Sequence, residues 1–441
     1  IRGVGSINAS AAPLIIVDGA PFNGNLNSIA QEQVASISVL KDASSTSLYG
    51  SRGANGVIIV NTKSGKKGTP TRISVTSKYG NSNMATPMHD LLGIDQYTEL
   101  FWEAYRNMEL YESGLSATDA AAAASSNLVS ALGYNPYGII EPVDNQGNLS
   151  EVAAWDTDWK GAILNNSAYK KQHGLSISGG TDKTTFYLGS NYLKEQGQVK
   201  STYFERFATR LNLNTEVNDY ISSGLNFSYT SSKQNAPNQS GTSFSNSIQW
   251  IYVIPSYYPL YKRGSDGTLL KDSNGFPEFD YGNNTTQIVN GVRPALSNEN
   301  GLGVLINNEI SNSRTYISMN GYLEFKLLPE LNFKTSVLYE KASLDNFQYT
   351  HNKYGAASSV QGRVSQDRNF FTTLNMIQTL NYKKTFGAHS INADGIFESY
   401  RFKQNLSLIH ISEPTRLRRI SDAVFGLKKK RGGGGGGGGG G

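Results

Sequence analysis

The chain has 441 residues, no cysteine, and 40 basic against 35 acidic side chains. Residues 406–441 hold seven of the basic and two of the acidic side chains, so residues 1–405 are neutral, with 33 of each (40 − 7 and 35 − 2). A neutral body removes the support for nucleic-acid binding by a basic face, and the lack of cysteine excludes a disulfide framework. No apolar run reaches the about 20 residues of a transmembrane helix, and the length predicts a small domain followed by a larger one.

The N-terminal segment predicts a small α+β domain over residues 1–65. Two β-branched runs, 13–17 and 57–60, predict strands buried on both faces. The turn pair Asp18-Gly19 closes the first run, and residues 34–40 and 41–48 predict a strand and a short helix. Gly50, Gly53 and Gly56 recur every third residue, where a chain adopts positive φ or lets another backbone come close. A Gly/Pro-rich linker follows at 64–70.

The chain after the linker predicts roughly nine antiparallel strands over residues 71–405. Residues 72–79 form the first strand, with alternating side chains. A long loop, 81–168, follows, in which 97–110 and 119–132 have helical spacing. From residue 170 strands of about 10 to 16 residues alternate apolar and polar side chains. Further long loops at 231–313 and 345–368 fall at one end of the strands, and tight turns fall at the other.

This alternation is typical of a membrane β-barrel. Lipid contacts one face of such strands and a wet lumen or a plug contacts the other. Only a closed barrel satisfies the backbone of every strand within hydrocarbon. Alternation alone also fits a soluble β-sandwich, which stays open on periodicity alone. Our fold prediction is a partial, antiparallel up-and-down membrane β-barrel of about nine strands with an α+β plug domain at its N-terminus.

Three motifs in the first 65 residues favour the barrel. The stretches "PLIIVDGAPFNG" and "ISVLKDASSTSLYGSRGANGVIIVNTKSG", with the opening "IRGVGS", resemble the plug domain of TonB-dependent outer-membrane transporters of the SusC/RagA family. The plug signature that this resemblance implies consists of Asp18, Gly19, Lys41, Asp42, Tyr49, Gly50, Arg52, Asn55 and Gly56.

The resemblance implies TonB-dependent import of a glycan or oligopeptide across the bacterial outer membrane. The implied partners are the TonB–ExbB–ExbD complex, a SusD-like surface lipoprotein, outer-membrane lipid and the ligand, with no nucleic acid and no cofactor. It also implies a longer reading frame with a leader, an accessory domain, a TonB box and further barrel strands. Two alternatives stay open: a surface adhesin without energised transport, and a siderophore-type TonB-dependent receptor.

Two sets of residues are candidates for the transport site. In the wider family, arginines at the position of Arg52 resemble a lock onto barrel carboxylates, and a solvated arginine is the alternative. The possible partners are Glu195, Glu205, Glu324, Glu340 and Glu398. An aromatic group could stack on sugars or peptide side chains, or instead form a membrane girdle or pack the loop. Its members are Trp250, Tyr252, Tyr257, Tyr258 and Tyr261.

Catalysis finds little support in the sequence. The histidines before residue 406 are not spaced as metal ligands, so we expect neither a metal site nor an enzyme. Asp156 and Asp158, between Trp155 and Trp159, could bind a sugar or could cap helices. Residues 406–441, which end in a lysine run and ten glycines, resemble a translated sequencing adapter, and we expect them to lie outside the fold.

Overall fold

A computed structural model describes residues 12–22, 26, 29–237, 246–264, 266–283, 293–352, 355, 357–387 and 389–411. The opening motif at residues 1–6 and the C-terminal residues 412–441 lie outside this range. Among the described residues, no helix combines the length and the apolar character needed to cross a membrane.

The N-terminal domain is a four-stranded sheet with one short helix. Its strands are β1 (Leu14–Val17), β2 (Ala20–Pro21), β3 (Val34–Leu40) and β4 (Val57–Thr62), in the order β2-β1-β4-β3. The β1 strand runs parallel to β4, with Leu14 opposite Val57, and β3 runs antiparallel to β4. Val57 and Val60 are fully buried, as the β-branched run predicts. Helix α1 (Ala43–Thr46) is shorter than predicted and passes into a 3₁₀ turn, Ser47–Gly53.

The glycine triplet shapes the return from α1 to β4. Gly50 and Gly56 have φ angles of +58° and +94°, which side chains with a Cβ rarely adopt. Gly53 is needed for a different reason, because a Cβ there would lie 2.8 Å from the Thr46 carbonyl oxygen. Both expectations for the triplet, positive φ and close backbone approach, are therefore confirmed.

The second domain is one antiparallel sheet of nine strands in sequence order, as predicted. The strands are β5 (Thr69–Ser82), β6 (Ala168–Gly180), β7 (Thr184–Gln196), β8 (Tyr203–Glu216), β9 (Ile221–Asn235), β10 (Glu309–Leu328), β11 (Leu331–Thr350), β12 (Arg363–Phe386) and β13 (His389–Ile411). Strands β10 to β13 run beyond their predicted ends because polar residues continue the ladder. The third long loop consequently shrinks to residues 351–362.

The two faces of this sheet have opposite character. On β8, Ala208, Arg210 and Asn212 point toward the N-terminal domain and are buried, whereas Phe207 on the other face is 43% exposed. The outward row continues across the ladder as Leu188, Leu211, Phe227, Met319 and Tyr339, each opposite the next. A soluble sandwich would bury its apolar rows between two layers. The sheet instead turns these rows outward, as a lipid-facing wall requires.

The two longest loops fold together into a helical loop domain. Helices α2 (Ile94–Tyr111), α3 (Ala117–Leu132) and α4 (Trp159–Ile163) come from the first loop. Helices α5 (Ser247–Val253) and α6 (Gly301–Asn307) come from the second. Helix α3 begins at Ser116, whose side chain accepts from the Asp119 N–H, and ends at Gly133 in the left-handed conformation. One apolar core joins the two loops.

Strand β13 corrects the expected end of the fold. It continues six residues past Asn405 to Ile411, with Leu406 opposite Asn369 and Ile411 opposite Val364. Residues 406–411 include β-branched and apolar residues, and β12 offers them an unpaired backbone edge. The foreign origin of residues 406–441 stays a prediction.

Candidate functional site: the plug–barrel interface

The Asp18-Gly19 turn of the N-terminal domain joins it to the sheet wall. Both residues have positive φ, 49° and 82°, and this tight turn directs the Asp18 carboxylate toward β8. Its Oδ2 accepts from Arg210 Nη1 at 2.9 Å and from Thr62 Oγ1 at 2.7 Å, while Oδ1 accepts from the Thr62 N–H at 2.8 Å. One carboxylate therefore holds the end of β1, the end of β4 and a barrel strand together.

Polar side chains of the wall extend this contact. Asn212 Nδ2 donates to Thr62 Oγ1 at 2.8 Å and to the Lys63 carbonyl at 2.7 Å. Further along the interface, Gln33 Nε2 of the N-terminal domain donates to the Gly189 carbonyl at 3.2 Å. Arg210 and Asn212 are only 5% and 3% exposed, so their desolvation is offset only while these partners stay in place.

An apolar contact lies beside the ion pair. Phe22 packs edge-on against the Tyr316 ring of β10, with centroids 4.9 Å apart. The Tyr316 hydroxyl in turn donates to the Glu340 carboxylate of β11, which is itself buried. A cavity of about 20 Å³ remains between the turn and the wall, beside Arg210 and Ser228. That volume suits a single water molecule bridging polar groups.

Arg52 forms the ion pair that the sequence left undecided. Its Nη2 lies 3.1 Å from Glu398 Oε2 on β13, and Asn375 Nδ2 also donates to this carboxylate, at 3.0 Å. Of the other candidates, Glu340 accepts from a tyrosine and Glu195 pairs with Lys170. The Arg52 side chain is 49% exposed, so this contact is much weaker in the structure than the buried Asp18–Arg210 pair.

The remaining signature residues shape the N-terminal domain itself. Lys41 and Asp42 precede α1 and are exposed, and the Asp42 carbonyl accepts from the Thr46 N–H at 3.0 Å. Tyr49 is half-buried, and Asn55 lies in the turn before β4. The Gly56 carbonyl accepts from the Leu14 N–H at 3.0 Å, which starts the β1–β4 ladder.

The loop domain corrects most of the predicted ligand-binding aromatic group. Trp250 and Tyr257 are fully buried and Tyr258 is 5% exposed, so a ligand outside the domain cannot reach these three rings. They pack the core: Trp250 lies 5.3 Å from Trp159, and the Tyr257 hydroxyl donates to the Tyr134 carbonyl at 2.5 Å. The loop-packing alternative therefore describes them.

The two other members of the group lie nearer the surface. Tyr261 is partly buried and stacks on Phe279 at 5.2 Å. Tyr252 is 59% exposed and borders an open groove of about 410 Å³. Asp156 and Asp158 also line this groove, but both act as caps. Asp156 accepts from the Ile94 N–H at the start of α2, and Asp158 from the Gly161 N–H in α4. The capping alternative thus describes both carboxylates.

A buried polar cluster fixes the second loop against the first. Asp280, fully buried, accepts from the Tyr134 hydroxyl at 3.0 Å and from the Gly282 N–H. Burial raises the pKa of Asp280, and burial likewise raises the pKa of Tyr134. The buried Arg293 guanidinium lies over the Trp250 ring at 5.1 Å and donates to nearby backbone carbonyls.

Comparisons with known proteins agree with this architecture. Residues 1–57 match the family model described as TonB-dependent Receptor Plug Domain. TonB-dependent receptor P3 of Formosa agariphila is 28% identical over 410 residues, which cover 92% of this chain and 34% of that protein. TonB-dependent receptor SusC of Bacteroides thetaiotaomicron is 25% identical over 428 residues, which cover 92% of this chain and 37% of that protein. The chain thus spans about a third of the length of these curated relatives.

A solved structure shares the fold. The open-open state of the RagAB peptide importer superposes with a TM-score of 0.65 at 21% identity, covering 95% of this chain and 44% of that chain. An N-terminal plug domain held against an outward-apolar antiparallel sheet defines a TonB-dependent receptor. Within this class, the chain is similar in sequence to SusC and shares its fold with the RagAB importer.

Proposed function

We propose that the protein carrying this chain imports a glycan or peptide nutrient across the outer membrane in a TonB-dependent way. The observation that carries the proposal is the polar attachment of the plug to the wall, centred on Asp18 and Arg210. A few buried polar contacts hold firmly as a set, yet they can be exchanged for water once the plug moves. Such an attachment suits a plug that stays seated until it is pulled.

The proposed cycle assigns a separate task to each part of the chain. Ligand binds on the loop side, where exposed groups such as Tyr252 border the open groove. A SusD-like lipoprotein assists capture, and the TonB–ExbB–ExbD complex then pulls the plug. This force separates Asp18 from Arg210 and Thr62 from Asn212, which opens a path along the polar inner face of the sheet. The family resemblance supports these partners, and the outward apolar rows support the outer-membrane location.

A reversible cross-link tests plug movement directly. The complete protein has Thr62 and Asn212 replaced by cysteine, because their side chains already touch at 2.8 Å and the chain otherwise has no cysteine. We expect oxidation to abolish uptake of labelled oligosaccharide or oligopeptide and reductant to restore it, while binding to cells persists. The single variants Thr62→Cys and Asn212→Cys control for the substitutions. Uptake that continues in the oxidised protein, or that persists without TonB, contradicts the proposal.

The same cross-linking and uptake assay distinguishes the two alternatives, the adhesin and the siderophore receptor. An adhesin binds its ligand with equal strength whether or not the plug is cross-linked, and it delivers nothing to the periplasm. A siderophore receptor gives uptake of chelated iron instead of oligosaccharide or oligopeptide. Each label is therefore offered separately, with uptake measured as label inside the outer membrane.

A further inference from the structure

The open groove beside Tyr252 is built by three separate segments of the loop domain. One segment precedes α2, the second leads into α4, and the third ends α5. The Thr157 N–H donates to the Ser256 carbonyl at 3.0 Å, and the Ser256 hydroxyl donates to the Leu92 carbonyl at 3.2 Å. The protein's own hydrogen bonds therefore hold the groove in shape, and its volume of about 410 Å³ lies in the range of small-ligand sites.

The walls of the groove are largely apolar and open to solvent. Leu91, Leu92 and Val253 are each 46% exposed, and the Tyr252 ring is exposed as well. Ile254, which also lines the groove, is buried. Exposed apolar groups gathered around a concave surface mark binding sites, whereas single exposed apolar groups do not. These walls suit the apolar part of a ligand.

Two carboxylates give the groove a negative charge. Among the described residues that line it, the only charged ones are Asp156 and Asp158. Each uses Oδ1 as a cap, accepting from the Ile94 N–H at 3.2 Å and from the Gly161 N–H at 2.8 Å. Within the described parts of the chain, neither Oδ2 accepts a hydrogen bond, and no basic side chain lies within ion-pair distance of either carboxylate. Capping therefore leaves one oxygen of each carboxylate available to a donor from outside the protein.

An unused donor lies in the same lining. Trp159 lines the groove and is 2% exposed, and its Nε1 N–H has no acceptor among the residues that the structure describes. A buried N–H without a partner is costly, so each one in a folded protein calls for an explanation, such as a bound molecule. A carbonyl oxygen of a ligand in the groove could accept from this N–H.

Apolar walls together with unpaired carboxylates select a basic side chain. Lysine and arginine carry a cation on a long apolar stem. The stem can lie along Leu91 and Val253 while the cation reaches Asp156 and Asp158. The face of the exposed Tyr252 ring offers the cation a further contact. A neutral sugar has no charge to offset the two carboxylates, and an acidic ligand is repelled by them.

We propose that this groove binds a lysine or arginine side chain of an oligopeptide, with Asp156 and Asp158 recognising its charge. The inference rests on the proposed function and narrows it, because it selects a peptide over a glycan and a basic peptide over a neutral one. The loop domain then sorts ligands by charge before they reach the plug.

Matched peptides and matched variants test the proposal. Fluorescent pentapeptides with blocked ends carry arginine, lysine or norleucine at the centre and glycine elsewhere, and anisotropy measures their affinity for the complete protein in detergent. The groove variant carries Asp156→Asn and Asp158→Asn, which keep an oxygen for each cap. The control carries Asp266→Asn and Asp272→Asn, two exposed carboxylates of the second loop that also accept from backbone N–H groups but lie outside the groove. Heat-modifiable migration on gels establishes that both variants fold.

The parent should bind the arginine and lysine peptides about tenfold more tightly than the norleucine peptide, since two partly exposed ion pairs together contribute about this factor. The groove variant should lose this preference, and the control should keep it. A parent without the preference, a groove variant that retains it, or a control that loses it equally overturns the proposal. So does a neutral oligosaccharide that the parent binds and the groove variant does not, because the groove would then be a sugar site.

Uptake by cells distinguishes a failure of this proposal from a failure of the proposed function. If TonB-dependent uptake favours the arginine peptide equally in the parent and the groove variant, the groove does not read the charge, although the import function stands. If the groove variant loses the preference in binding but the parent shows no TonB-dependent uptake, the groove assignment stands and the import function fails.

Discussion

Removing one charge from the Asp18–Arg210 pair should loosen the plug strongly. Asp18→Asn keeps an oxygen to accept from the Thr62 N–H but leaves the Arg210 guanidinium, 5% exposed, without a counter-charge. Breaking a buried pair in this way costs about 3–5 kcal/mol. Every 1.4 kcal/mol is a factor of ten, so the population with the plug displaced should rise by about 10² to 4 × 10³.

A single thiol reports this opening. The chain has no cysteine, and Ser228 on the wall is 8% exposed beside the cavity beneath the turn. In a Ser228→Cys background, the rate of maleimide labelling follows the open population when opening is fast relative to labelling. Asp18→Asn and Arg210→Met should each accelerate labelling by about 10² to 4 × 10³.

The double variant provides the decisive comparison. With both charges removed, no uncompensated charge remains buried, and replacing a whole pair is often close to neutral. Asp18→Asn combined with Arg210→Met should therefore label more slowly than either single variant. If the two single effects add, or if each stays below about tenfold, the ion pair does not hold the plug.

Three further predictions concern the weaker ion pair, Arg52–Glu398, and the loop domain. Arg52→Ala should lower the free energy of unfolding by less than about 1 kcal/mol, because its pair with Glu398 is largely solvent-screened; a larger loss, measured by urea unfolding, contradicts this. Trp250→Ala should destabilise the loop domain by about 3–5 kcal/mol in hydrogen exchange, whereas Tyr252→Ala, at an exposed ring, should leave protection unchanged. Asp280→Ala strands two donors and should cost about 2–6 kcal/mol, while Asp280→Asn, which still accepts, should not. Burial raises the pKa of Asp280 in the folded state above its value in the unfolded chain. The contribution of Asp280 to stability is therefore greatest below the unfolded pKa and falls as pH rises from the unfolded pKa through the folded pKa. Hydrogen-exchange protection of the loop domain should decline between these two pKa values in the parent but not in Asp280→Asn.

The sequence predicts well which face of a strand each side chain lies on, and poorly which side chains pair across the interface. Alternation predicts that Arg210 and Asn212 lie on the opposite face of β8 from Phe207 and Leu211, and the structure confirms this, because a strand has a period of two. The partner of Arg52 depends on which wall position faces the glycine turn. Strand register and plug placement together decide this, so the sequence alone leaves the five carboxylates equivalent, and the structure brings Glu398 within reach of Arg52.

Two features were beyond sequence reasoning for different reasons. A tight turn is enough to explain an Asp-Gly pair at residues 18 and 19. The sequence therefore does not indicate that Asp18 pairs with Arg210, 192 positions away. Dense aromatic clusters such as Trp250, Tyr257 and Tyr258 suit a binding surface and a core equally well. Only the joining of two distant loops around one core decides that these rings lie inside.

The parallel pairing of β1 with β4 has a mechanical consequence. Tension that enters at the start of β1 and is resisted at the end of β4, where the chain continues into the wall, runs along both strands. The hydrogen bonds between them are then loaded simultaneously in shear, and they do not unzip one after another. Under such a load the small sheet would transmit the force to its polar attachments to the wall before its own strands separate.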